Sequence, residues 1–127
     1  MYIKPKPFLG QHFLHDRATL MAMLEAGDVQ PCDTVVEIGA GNGVLTKELL
    51  LKGAYVTAYE IDHDCFPLLR EMAAEDDNLK LNEFSVLEGY PPEEKYKVIA
   101  NIPYYLTGTI LRLFLHVFTH QPERMVL

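Results

Sequence analysis

The feature that most constrains this chain is a β-branched run that breaks into glycines and then turns helical. Thr34-Val35-Val36-Glu37-Ile38 reads as a short buried strand, because β-branched side chains suit a packed, pleated surface. It gives way to Gly39-Ala40-Gly41-Asn42-Gly43, and a helix follows over about 44–52 with Gly53 beyond its end. Ala54 to Glu60 is the next strand, and Asp62 or Asp64 starts a helix reaching about Ala74. Leu79 to Phe84 alternates as a strand does, Lys95 to Ala100 is another, and Thr109 to Phe118 is an apolar helix. Met125-Val126-Leu127 reads as the opening of a further strand. Upstream, Asp16 is the expected N-cap of a helix over 17–26 ended by Gly27, while Pro5 and Pro7 keep residues 1–9 extended. Strands alternating with helices at this spacing predict an α/β, Rossmann-like fold: a mostly parallel sheet with helices on both faces, reaching about the start of a fifth strand.

A glycine-rich turn between the first strand and its helix is where such sheets take a nucleotide-like ligand. Gly39 and Gly41 let the main chain approach that ligand, and the helix start offers free N–H groups. A dinucleotide fingerprint would need glycine at 44, where Val44 stands, so the loop suits an adenosine with a compact tail better than a pyrophosphate. A nicotinamide dehydrogenase stays open as an alternative, with the missing glycine against it. Glu60, at the end of the second strand, is placed to accept hydrogen bonds from both ribose hydroxyls and would repel a 2′-phosphate.

Asn101-Ile102-Pro103-Tyr104 follows the fourth strand and so falls at the same edge of the sheet. Methylation of an aromatic amine suits these residues. Such an amine is a poor nucleophile because its lone pair is delocalised into the ring. The Asn101 amide oxygen and the Ile102 carbonyl can each accept one of its N–H groups, turning the lone pair toward a methyl donor. Pro103 stiffens the turn, and Tyr104 offers a face on which the target base can stack.

Taken together, these residues resemble the ribosomal RNA small-subunit adenine N6,N6-dimethyltransferases, and the resemblance runs through nearly the whole chain. Gly10-Gln11-His12-Phe13-Leu14 is similar to that family's N-terminal motif, and residues 36–46 to its S-adenosylmethionine (SAM) loop. Glu60-Ile61-Asp62 is similar to its ribose-binding acid, and Asn101-Ile102-Pro103-Tyr104-Tyr105 to its catalytic motif. The resemblance implies a SAM-dependent methyltransferase fold, SAM as cofactor and adenines of small-subunit ribosomal RNA, in a 30S-type particle, as substrate. It implies SAM contacts at His12, Leu14, Gly39, Gly41, Glu60, Ser85 and Asn101, with catalysis by Asn101, Ile102, Pro103 and Tyr104. Two positions depart from the pattern. His12 stands where the family has Asn, and Ser85 where it has Asp. Ser85 accepts a hydrogen bond without charge, so weaker SAM affinity is expected, or help from Glu83 or Glu88. Family members also continue through further strands and a small helical domain. Residues 1–127 are therefore expected to be an incomplete catalytic domain, complemented by that remaining half or by a partner chain.

The 127 residues carry a net charge of −7, which on its face argues against a small basic nucleic-acid module. The charge is uneven, however. Residues 60–94 hold eleven acids and two bases, whereas Lys4, Lys6 and Arg17 against Asp16 leave residues 1–20 at +2, an end that could meet RNA. Cys32 and Cys65 read as reduced, structural thiols, and neither a signal peptide nor a membrane span is legible, so a cytoplasmic protein is expected. His116 and His120 share a helical spacing but lack a third ligand, so no metal is expected. Leu111, Leu113, Leu115, Val117 and Phe118 are expected in the core. Two further readings compete with the small-subunit enzyme. One is a non-catalytic RNA-binding or ribosome-assembly module, and the other is a related N6-adenine methyltransferase acting on large-subunit ribosomal RNA or on DNA.

Overall fold

A computed structural model of the chain describes Ile3, residues 16–90, Pro92 and residues 94–127. The extended arm apart from Ile3, and the motif from Gly10 to Leu14 with His12 and Leu14, lie outside these residues.

Five parallel strands form one sheet in the order β3-β2-β1-β4-β5: β1 (Thr34–Ile38), β2 (Tyr55–Tyr59), β3 (Leu79–Asn82), β4 (Lys97–Ile99) and β5 (Arg124–Val126). The chain winds outward from β1 to β3, then crosses to the other side of β1 to lay down β4 and β5. The order therefore reverses between β1 and β4. Among the described residues α1 (Arg17–Gly27) precedes β1, and α2 (Val44–Leu51), α3 (Phe66–Glu75) and α4 (Thr107–Arg112) connect strands, the last continuing into a π-helical turn at Leu113–Val117.

Strand alternation splits the core into two layers. Val35, Val56, Ala58, Leu79 and Ile99 face α1, α2 and α3, meeting Leu20, Leu24, Leu45, Leu49 and Leu69. Val36, Ile38, Val98 and Ala100 face the other way, against Ile110 and Phe114. Helices thus cover both faces.

Several local expectations change for physical reasons. Asp16 caps α1 as expected, accepting from the Ala18 N–H at 3.0 Å. The left-handed residue that ends this helix is Asp28, at φ 47°, not Gly27. Gly27 is needed for space instead, since a Cβ there would lie 2.5 Å from Cδ1 of Ile99. Asp62, rather than Asp64, starts the third helical segment; it caps a 3₁₀ turn at His63–Cys65 and accepts from the Asp64 N–H. The apolar segment begins earlier than expected, with a 3₁₀ turn at Tyr104–Leu106 leading into α4.

Its buried side is also different. Ile110 and Phe114 are almost fully enclosed and Leu113 and Phe118 pack beside them, whereas Leu111, Leu115 and Val117 are exposed. One helical stripe faces the sheet, and a residue one position off that stripe points away from it. The π turn closes with the Phe118 N–H donating to the Leu113 carbonyl, and the helix stops there. His120 consequently lies beyond the helix that carries His116, and its carbonyl accepts from the Tyr96 hydroxyl at 2.6 Å. Cys65 is buried, but Cys32 is exposed in a left-handed backbone conformation at φ 68°. Among the described residues no helix is long and apolar enough to cross a membrane.

Candidate functional site

The strand registers carry the predicted residues to one level of the sheet. Val36 pairs with Val98, Ile38 with Tyr59, and Tyr59 with Asn82. Extending each register past the strand ends sets Gly39 beside Asn101 on one side and Glu60 on the other, with Glu83 beyond. Adjacent strands lie about 4.8 Å apart. The ladder persists at this edge: the Gly39 N–H donates to the Tyr59 carbonyl at 2.8 Å and the Glu60 N–H to the Asn82 carbonyl at 3.1 Å. The Gly39 loop after β1 and Asn101 after β4 therefore leave neighbouring parallel strands at the same edge of the sheet, where the strand order reverses and open α/β sheets bind ligands.

Gly39, Gly41 and Gly43 all have positive φ, between 57° and 78°. The two outer glycines are needed for different reasons. A Cβ on Gly43 would meet Met72 Sδ at 2.7 Å, so that position is packed. A Cβ on Gly39 would meet nothing within 4 Å, so the main chain there borders open space and only its conformation demands glycine.

Glu60 is buried and holds the rim of this loop. Its Oε1 accepts from the Gly41 N–H at 2.6 Å, and its Oε2 from the N–H groups of Ile61 and Asp62 at 2.9 Å each. A carboxylate offers about four acceptor positions, and three are in use among the described residues. One is left for a ribose hydroxyl, and a second requires the Gly41 N–H to yield. The residues present thus fit a nucleoside: an acid beside the loop and open space over Gly39.

Beneath the loop lies a group that the sequence reading passed over. Glu37, on the face of β1 turned toward α2, is fully buried and accepts a short hydrogen bond from the Thr46 hydroxyl. Burial pushes its carboxyl up to about 8, against the Thr46 hydrogen bond, and the nearby Glu60 charge pushes the same way as burial. One signal was available: an acid inside an otherwise apolar, β-branched strand.

On the far side of Glu60, Ser85 caps the 3₁₀ turn Val86–Glu88, its hydroxyl oxygen accepting from the Leu87 N–H at 3.2 Å. Among the described residues its hydroxyl proton has no acceptor. Glu83 is not at hand to assist Ser85, since both its oxygens are paired with the Arg70 guanidinium. That pairing holds its carboxyl below the usual range. Glu88 is exposed.

Asn101, Ile102 and Pro103 are half-buried at the end of β4. Pro103 is extended, at φ −57° and ψ 140°, and its carbonyl accepts from the Leu106 N–H. No described residue donates to the Ile102 carbonyl. Tyr104 is 88% exposed and meets Tyr105 edge-on, with ring centres 5.9 Å apart. Its face is open to a planar partner.

The sequence profile described as "Ribosomal RNA adenine dimethylase" matches residues 3–127. The chain belongs to the ribosomal RNA adenine dimethylase family. A "Ribosomal RNA small subunit methyltransferase A" from Dehalococcoides mccartyi is 40% identical over 98% of this chain. The chain spans 44% of that relative's length. Among solved structures, the 23S rRNA methyltransferase ErmE superposes with a TM-score of 0.75 at 34% identity, over 83% of this chain and 43% of that one. A dimethyladenosine transferase from Plasmodium falciparum gives a TM-score of 0.70 at 28% identity, over 83% of this chain and 39% of its own. This member of the dimethylase family therefore has the Rossmann-like fold of SAM-dependent methyltransferases. Among its described residues no group of three or more His, Cys, Asp or Glu could hold a metal ion.

Proposed function

We propose that this chain binds SAM along the carboxyl edge of its sheet and directs methyl transfer to the N6 amine of adenines in small-subunit ribosomal RNA. The observation that carries the reading is that β4, β1 and β2 are parallel neighbours, so that Asn101, the Gly39 loop and Glu60 follow their strands at one edge of the sheet. Bound SAM supplies a methyl group on a sulfonium, a leaving group good enough that no strong base is needed.

The chain's own residues do the rest. Glu60 and the loop at Gly39 and Gly41, open over Gly39, hold the ribose and the adjoining tail. Ser85 faces the adenine and accepts from its amine with the lone pair that the Leu87 N–H leaves over. With the same adenine partner, a family member carrying Asp here would bind more strongly, because an ionised acceptor makes the stronger hydrogen bond. His12 and Leu14 belong to this reading through the family resemblance. The Asn101 amide oxygen and the Ile102 carbonyl accept the two N–H groups of the target amine, and the exposed Tyr104 ring stacks on its base. An amine paired in a duplex cannot reach this edge, so the target adenine is single-stranded or flipped out.

The small-subunit relative supports small-subunit RNA as substrate, whereas the likeness to ErmE supports the same chemistry on large-subunit RNA. Incubating the chain with labelled SAM and unmethylated small or large subunits separates the two. Label is expected in small-subunit adenines, and Asn101→Ala is expected to lower its incorporation at least a hundredfold. Equal incorporation by Asn101→Ala would remove that residue from the chemistry. SAM binding without incorporation into either subunit would favour a non-catalytic assembly module.

A further inference from the structure

Tyr59 ends β2 immediately before Glu60, and it touches both sides of the site. Its carbonyl accepts from the N–H groups of Gly39 and Ala40, at 2.8 and 3.3 Å, and so holds the start of the glycine loop. Its side chain runs under the segment that carries Ser85. The ring is 6% exposed, packs with Val86, and meets Phe84 edge-on with centres 5.7 Å apart. Its hydroxyl reaches the Tyr90 carbonyl at 3.4 Å. Gly89 lies directly against the ring: a Cβ there would stand 2.6 Å from the hydroxyl oxygen, 2.7 Å from Cε1 and 2.8 Å from Cζ. A buried ring held on several sides cannot swing away as an exposed side chain would.

We infer that Tyr59 is a positioning residue that couples the two walls of the nucleoside pocket, so that the glycine loop and the Phe84–Tyr90 segment keep a fixed separation. The glycine at 89 is then a condition of that coupling, because any side chain would wedge the Ser85 wall off the ring. The ligand in question is the nucleoside of the proposed function, and the inference rests on that reading for its consequence but not for its geometry.

The test uses Gly89→Ala, Gly89→Ala with Tyr59→Leu, and Tyr90→Ala. The last removes a ring that is 87% exposed without touching the carbonyl that Tyr59 holds. Two measurements are made on each: amide chemical shifts, and calorimetric binding of S-adenosylhomocysteine and of adenosine. Gly89→Ala is expected to move the amide signals of Gly39 and Ala40 as well as those of Leu87 and Gly89's neighbours. It should also weaken both ligands about tenfold. Tyr59→Leu in the same chain makes room for the new methyl group but takes away the ring that sets the separation, so affinity is expected to stay low; full recovery would overturn the positioning role of the ring. Tyr90→Ala should change affinity less than about twofold.

Shift changes confined to residues 86–90 would overturn the coupling, as would unchanged affinity in Gly89→Ala. If the wild-type chain bound neither ligand while the shifts still travelled to Gly39, the coupling would stand and the SAM reading would fall.

Discussion

Replacing Glu37 with Gln tests whether the acid beneath the glycine loop is uncharged in the folded protein. Glu37 is fully buried, its one partner among the described residues is the Thr46 hydroxyl, and burial raises its carboxyl from 4.5 to about 8. Between those two values the folded chain holds a proton that the unfolded chain has released. The stabilising contribution is therefore fully present below about 4.5 and is lost as the pH rises through about 8. At pH 7 the unfolded carboxyl is almost wholly ionised and the folded one mostly protonated. At about 1.4 kcal/mol per pH unit, the acid then costs the fold on the order of 3 kcal/mol. Gln keeps a carbonyl for Thr46 and does not titrate. Urea unfolding of both proteins from about pH 4.5 to about pH 8 should show similar stabilities at the acid end. The variant should pull ahead by on the order of 3 kcal/mol near neutrality. Taking the difference between the two proteins removes the titration of every distant group. A difference that stayed constant across this range would refute the assignment of an uncharged Glu37, and so would a wild-type chain that gained on the variant at high pH.

Two further outcomes follow from packing. Gly27→Ala places a methyl group against Ile99 Cδ1 and should cost about 1–3 kcal/mol, most of it recovered when Ile99→Val removes that carbon; thermal or urea unfolding of the four-protein cycle measures the coupling, and simple additivity would contradict the contact. Phe114→Ala should cost about 3–5 kcal/mol and Val117→Ala less than about 0.5, because the first is enclosed between helix and sheet while the second is 61% exposed; comparable losses in an unfolding titration would overturn the observed facing of this segment.

Much of the candidate site was legible before any tertiary structure, because its signals are local. A glycine loop after a β-branched strand, an acid closing the next strand and an Asn-Ile-Pro-Tyr turn after the fourth are each read from a few adjacent residues. Their strands appear where periodicity put them, within a residue or two at β1, β2 and β4. The errors fall where a short window cannot see the neighbour. Gly27 does end its helix, but the left-handed cap is Asp28, and the close neighbour of Gly27 is Ile99, far away in sequence. Glu83 stood as a possible stand-in for the charge missing at Ser85, until α3 brought Arg70 onto both its oxygens.

By itself, then, the amino-acid sequence determined the order of strands and helices, the turn chemistry at the ligand edge and the residues available there. These depend on backbone preference and on alternation along the chain. Only the tertiary structure decided which strands lie side by side, and hence that β4, which leads into Asn101 in the second half of the chain, is the direct neighbour of β1. It also decided that Leu111, Leu115 and Val117 face outward, that Glu37 is enclosed beside Thr46, and that one tyrosine ring lies under the wall carrying Ser85. Facing, burial and the ionisation of a carboxyl depend on what packs against a residue from elsewhere in the fold, and that is not encoded in the residues next to it.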